Sequence, residues 1–126
     1  MGKWTDMLII TNNPKIVDEI KFGEIVFKEE SYIDILKESR KLIHMGYELL
    51  SHPLYGSIKP NETPYRTIVL RKNNVLDTNS LLLIEEAIMT ATKFMTNKKT
   101  PLWTDRVLDD FQIIDLDIIT HTLNRI

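Results

Sequence analysis

The chain contains no cysteine. That absence removes disulfides, thiolate catalysis and cysteine metal sites from consideration. No apolar run approaches the roughly 18 residues that span a bilayer. The run Met7 to Ile10 is too short for the core of a signal peptide, and no cleavage pattern follows it. The opening Met-Gly carries Asp6 where a myristoylation signal has Ser or Thr, so no lipid anchor is expected. Neither sign of charge is in surplus: the formal net charge of −2 leaves no electrostatic footprint for nucleic acid. The glycine patterns of a phosphate loop, a dinucleotide fold and a serine nucleophile elbow are all missing. His44, His52 and His121 are too scattered for a His-x-x-x-His pair. Asp105, Asp109, Asp110, Asp115 and Asp117 lack the spacing and glycine of a calcium loop and read as a solvated helix face. No metal and no cofactor are expected. A cytoplasmic protein with neither a membrane nor a nucleic-acid partner is the expectation.

What is present is a globular balance. The 126 residues are 43% hydrophobic and 27% charged, enough for one sizeable core. A single α/β domain over 1–126 is expected. Met7-Leu-Ile-Ile-Thr11 is a continuous apolar run, as in a strand covered on both faces. Asn13 and Pro14 supply a cap and a first helical residue, predicting a helix to about Lys21. Residues 24–28 read as a second strand. Ser31 caps a helix over 32–45 with one apolar stripe, and Gly46 stops it. Strands follow at 47–50 and 67–70, then a turn at Asn73 and Asn74.

A long helix is expected over about 79–96, with caps on offer from Asp77 to Asn79. After a polar break, Trp103, Val107, Phe111, Ile114 and Ile118 continue at helical spacing. Ile113 and Leu116 fall off that stripe, which predicts either a break near Asp115 or a helix buried on two sides. The alternation implies an α/β, three-layer fold: a mostly parallel four-stranded sheet, flanking helices and a helical C-terminal third. No helix joins the third strand to the fourth, so that pair is a candidate antiparallel one.

The connection between those two strands, residues 51–66, is the unusual segment. It holds three of the five prolines, together with His52, Lys59, Glu62, Arg66 and two tyrosines. Long structureless loops in compact domains are mostly functional or disordered, and Leu54, Tyr55, Ile58 and Tyr65 anchor this one. In open α/β sheets, ligands bind beyond the carboxyl ends of the strands. The Asn12-Asn13-Pro14 turn and Ser51-His52 would meet there if the first and third strands were neighbours. The helix start would then offer free N–H groups, and Lys59 and Arg66 positive charge, to a phosphate or carboxylate. The candidate ligand-binding residues are Asn12, Asn13, His52, Ser57, Lys59, Asn61, Thr63 and Arg66. Helix capping alone also explains the two asparagines. His52 is the candidate acid/base, and a histidine tied to its own loop is the plainer reading. Ser57 more simply makes a turn with Gly56. Glu62 is a candidate partner for His52 or Arg66.

Leu8-Ile-Ile-Thr-Asn-Asn-Pro14 followed by Leu49-Leu-Ser-His-Pro-Leu-Tyr-Gly-Ser-Ile-Lys-Pro-Asn-Glu-Thr-Pro-Tyr-Arg66 resembles the GrdX family. The resemblance extends over most of the chain, including Trp-x-x-x-x-Leu-x-x-Phe at 103–111. Tyr55 departs from the pattern, which suggests a smaller residue; that bears on the shape of a ligand. The resemblance implies genes beside the glycine, sarcosine or betaine reductase systems of amino-acid-fermenting anaerobes, and an accessory role in that metabolism. It transfers no catalytic residue.

Three readings stay open. The first is an accessory protein that binds a small anionic ligand or a reductase-complex component through loop 51–66. The second is a hydrolase or transferase of small metabolites, with His52 as acid/base and Ser57 or water as nucleophile. The third is a homodimer whose loop packs at the interface.

Overall fold

The computed structural model describes residues 6–56 and 58–126, so the Met-Gly start and Ser57 lie outside the described residues. The first strand, β1 (Met7–Thr11), is buried along its whole length. Its side chains alternate between two cores. Leu8 and Ile10 join one core, and Met7 and Ile9 the other. A continuous apolar run is therefore what this position requires, because a central strand has no polar face.

Asn13 ends the strand and caps α1 (Pro14–Glu19), its side chain accepting from the Lys15 N–H. That short helix carries the chain to β2 (Glu24–Phe27), which pairs parallel with β1. Ser31 caps α2 (Tyr32–His44) and accepts from the Asp34 N–H. Gly46 then turns the chain at φ 101°, where a Cβ would meet the Asn74 backbone at 3.1 Å. The strands β3 (Tyr47–Leu49) and β4 (Thr67–Lys72) follow, then α3 (Thr78–Asn97) and α4 (Asp105–Arg125).

The strand order is β2-β1-β4-β3. Only the β1–β2 pair is parallel; β4 runs antiparallel to both β1 and β3. The sheet is therefore mixed, which corrects the expectation of a mostly parallel one. The physical reason is the loop 51–66. It has no crossover helix, so β4 returns in the opposite direction, and it slots between β1 and β3. The β1 and β3 strands are thus parallel to each other but are not neighbours.

Three layers result. On one face, α2 and α3 pack Ile35, Leu36, Ile43, Ile84 and Ala87 against Ile68 and Leu70. On the other, α1 and α4 pack Ile16, Ile20, Ile119 and Leu123 against Ile9 and Val69. Each of these large aliphatic side chains contributes roughly 1.5–3 kcal/mol by leaving water. The last helix has no break near Asp115. It is continuous, with Asp115, Ile119 and Leu123 buried along one line and Ile113 exposed. No described helix is long and apolar enough to cross a membrane.

Candidate functional site

Because β1 and β3 point the same way and β4 starts where they end, three segments converge at one sheet edge. These are the turn at 12–14, the loop 51–66 and the start of β4. The middle of α4 lies across them, its Asp115 bonded to residues from all three.

A chain of hydrogen bonds crosses this edge. Thr11 and Thr67 stand opposite each other in the strand register, and their hydroxyls are 2.7 Å apart. The Asn13 N–H donates to the Thr11 hydroxyl at 2.9 Å, and the Thr67 hydroxyl donates to Asp115 Oδ2 at 2.6 Å. The direction is therefore fixed: Thr11 donates to Thr67, which donates to Asp115. Asn13 Nδ2 also donates to Asp115 Oδ2, at 3.0 Å, and the Tyr55 hydroxyl donates to Oδ1. Asp115 is 4% exposed. Its carboxylate is held by three uncharged donors, which satisfies a buried charge without an ion pair. Burial pushes the Tyr55 phenol well above its ordinary value, so it keeps its proton and remains a donor to Asp115.

Arg66, the residue before β4, is 3% exposed. Its guanidinium carbon lies 3.9 Å from the Tyr55 ring centroid and 4.7 Å from that of Tyr32. Nη1 donates to the carbonyls of Pro53 and Tyr55, each at 3.3 Å. Nε donates to nothing among the described residues. Among them, too, Arg66 makes no ion pair with a carboxylate. Burial, with Asp115 adding to it, also raises the Tyr32 phenol, against an opposing pull from Arg66. The cation is thus kept by two aromatic faces and two dipoles, a weaker compensation than a paired carboxylate.

Arg66, Thr63, Phe111, Ile114, Asp115 and Ile118 line a cavity of ≈ 10 Å³ under the loop. That is room for about one water molecule.

The other sequence candidates divide into groups. The side chain of Asn12 is committed to internal bonds: Nδ2 donates to the Glu30 and Pro64 carbonyls, and Oδ1 accepts from the Arg66 N–H. Asn13 is likewise spent on the Lys15 N–H, the Gln112 carbonyl and Asp115. Lys59 and Asn61 line a separate depression of ≈ 140 Å³ with Lys98 and Trp103. Asn61 Nδ2 donates to the Lys98 carbonyl at 3.0 Å, and Trp103 Nε1 donates to the Glu62 carbonyl at 2.7 Å. His52 is exposed, and its Nδ1 accepts from the Leu54 N–H at 3.0 Å. Glu62 accepts from the Lys59 N–H rather than reaching His52 or Arg66. Thr63 and Arg66 are therefore the two candidates that share the buried cavity. Among the described residues, no group of three or more His, Asp or Glu stands where it would hold a metal ion.

Tyr32, Tyr55 and Asp115 are the site residues that sequence reasoning did not single out. Asp115 belongs to a line with Ile119 and Leu123 at four-residue intervals. A carboxylate inside an apolar line is the signal that could have marked it, and it corrects the reading of all five aspartates as a solvated face. Tyr55 was visible as an apolar anchor of the loop and as a departure from a family pattern.

The sequence model of the GrdX-like protein family matches residues 8–124. No curated protein and no solved structure matches the chain.

Proposed function

The chain belongs to the GrdX-like protein family, and from that premise we propose that it is an accessory protein that binds a small anionic ligand through loop 51–66. The observation that carries the reading is Arg66: a buried guanidinium, its carbon over two tyrosine rings, that has no carboxylate partner among the described residues and one nitrogen without an acceptor there. Burying an unpaired cation costs stability, and an arrangement that keeps one is suited to receiving a negative charge. The role in amino-acid fermentation of the glycine reductase type, and a reductase component as a partner, rest on the family resemblance. Thr63 and Arg66 line the proposed site. Lys59 and His52, both exposed, stand on the outer surface of the same loop, where a protein partner would meet them.

The geometry around His52 lends less to the hydrolase or transferase reading. Its Nδ1 is occupied by the Leu54 N–H, and its proposed nucleophile, Ser57, lies outside the described residues. Exposed Ile113 and Ile114 on α4 are what a homodimer reading would use.

The test is thermal unfolding of wild type and Arg66→Gln in a panel of small anions at constant ionic strength. The reading predicts a rise in midpoint for wild type with at least one anion and none for the variant. Equal shifts in both proteins would contradict it.

A further inference from the structure

The surroundings of Arg66 say more than that its ligand is negative. Resting on the anion-binding reading above, we infer that the ligand is a small monocarboxylate with an apolar body, taken in the plane of the guanidinium by the Nε–Nη2 edge. The guanidinium carbon lies over the rings of Tyr55 and Tyr32, at 3.9 Å and 4.7 Å from their centroids. Nη1 is already committed to two loop carbonyls. Nε makes no hydrogen bond among the described residues. The side edge that carries Nε presents two parallel N–H groups, which match the two oxygens of a carboxylate.

Charge favours a monoanion. Arg66 is the one cation among the described residues lining the cavity, and Asp115 lines it as well. A second negative charge on the ligand would meet Asp115 with no lysine to offset it, since Lys59 belongs to a different depression. Ile58, Phe111, Ile114 and Ile118 give the rest of the wall its apolar part, and Tyr55, Thr63 and Tyr65 add hydroxyl-bearing side chains. A cationic ammonium on the ligand would have to compete for Asp115 with the donors already on it, Tyr55, Thr67 and Asn13. At ≈ 10 Å³ the cavity is smaller than a carboxylate with a carbon tail, so entry requires the isoleucines to shift. Ile114, which lines the cavity, is the most exposed of them, at 41%.

The experiment is calorimetric titration of the wild-type chain with acetate, propanoate, butyrate, glycine and inorganic phosphate. It is paired with NMR observation of the Arg66 Nε–Hε resonance, which needs no variant. The inference predicts about fourfold tighter binding per added methylene from acetate to butyrate. Glycine and phosphate should bind more weakly than propanoate. The Arg66 Nε–Hε resonance should move on saturation with butyrate. Phosphate or glycine binding as tightly as propanoate, with the same movement of Arg66, would overturn the monocarboxylate assignment and leave the anion reading intact. Tightening with chain length while the Arg66 resonance stays fixed would place the ligand elsewhere and overturn it too. Silence to every anion would remove both.

Discussion

At Arg66, two loop carbonyls and two tyrosine faces stand where a carboxylate would ordinarily stand. The nearby negative charge, Asp115, is instead spent on Tyr55, Thr67 and Asn13. Tyr55 joins the two, its ring on the cation and its hydroxyl on the anion. This arrangement depends on the phenol keeping its proton. Burial raises both Tyr55 and Tyr32 above the value of about 10 that the unfolded chain would show. In the unfolded state these phenols lose their protons first, so the native state holds more protons above that value. Their stabilising contribution is therefore complete below about pH 10 and is lost as pH climbs through the higher native values. Denaturant unfolding across that range should show stability falling above about pH 10, and falling less steeply in the Tyr32→Phe, Tyr55→Phe double variant. Identical alkaline slopes in the two proteins would show that these phenols are not responsible.

Among the elements, α4 is held in two different ways. Ile119 and Leu123 press it into the lower core, while Asp115 ties its middle to β1, β4 and the loop. Asp115→Ala would leave three buried donors without an acceptor, and hydrogen bonds to charged groups are worth about 1.5–3 kcal/mol each. Allowing for partial rearrangement, a loss of about 3 kcal/mol is expected in urea unfolding. A loss under about 0.5 kcal/mol, the range of ordinary surface changes, would mean that the network has solvent-like compensation.

The elements also show what a sequence makes legible. The buried strand at Met7–Thr11, the caps at Asn13 and Ser31 and the stop at Gly46 follow from local chemistry, so they could be read in advance. The loop 51–66 was legible as a candidate site because its prolines and charges break the pattern around it. The place of β4 between β1 and β3 was not, because strand order is decided by pairing over distance. Nor was Asp115, whose partners lie 48 to 102 residues away along the chain.

For the whole molecule, the mixed sheet is what makes the site. A parallel crossover after β3 would have put a helix where the loop now lies. Instead the chain doubles back through a proline-stiffened segment, and β4 delivers Arg66 to the edge already occupied by the end of β1. Prolines lower the entropy cost of ordering that segment, which suits a preformed receptor. Trp103, from the link between α3 and α4, fastens the far side of the loop through the Glu62 carbonyl. The strand that closes the sheet therefore also buries the cation at its start. The most direct test is a crystal structure grown with butyrate. The account predicts its carboxylate in the plane of the Arg66 guanidinium, on the Nε–Nη2 edge, with the carbon tail against Ile114 and Ile118. A butyrate bound away from Arg66, or a carboxylate within ion-pair distance of that edge supplied by the chain itself, would contradict it.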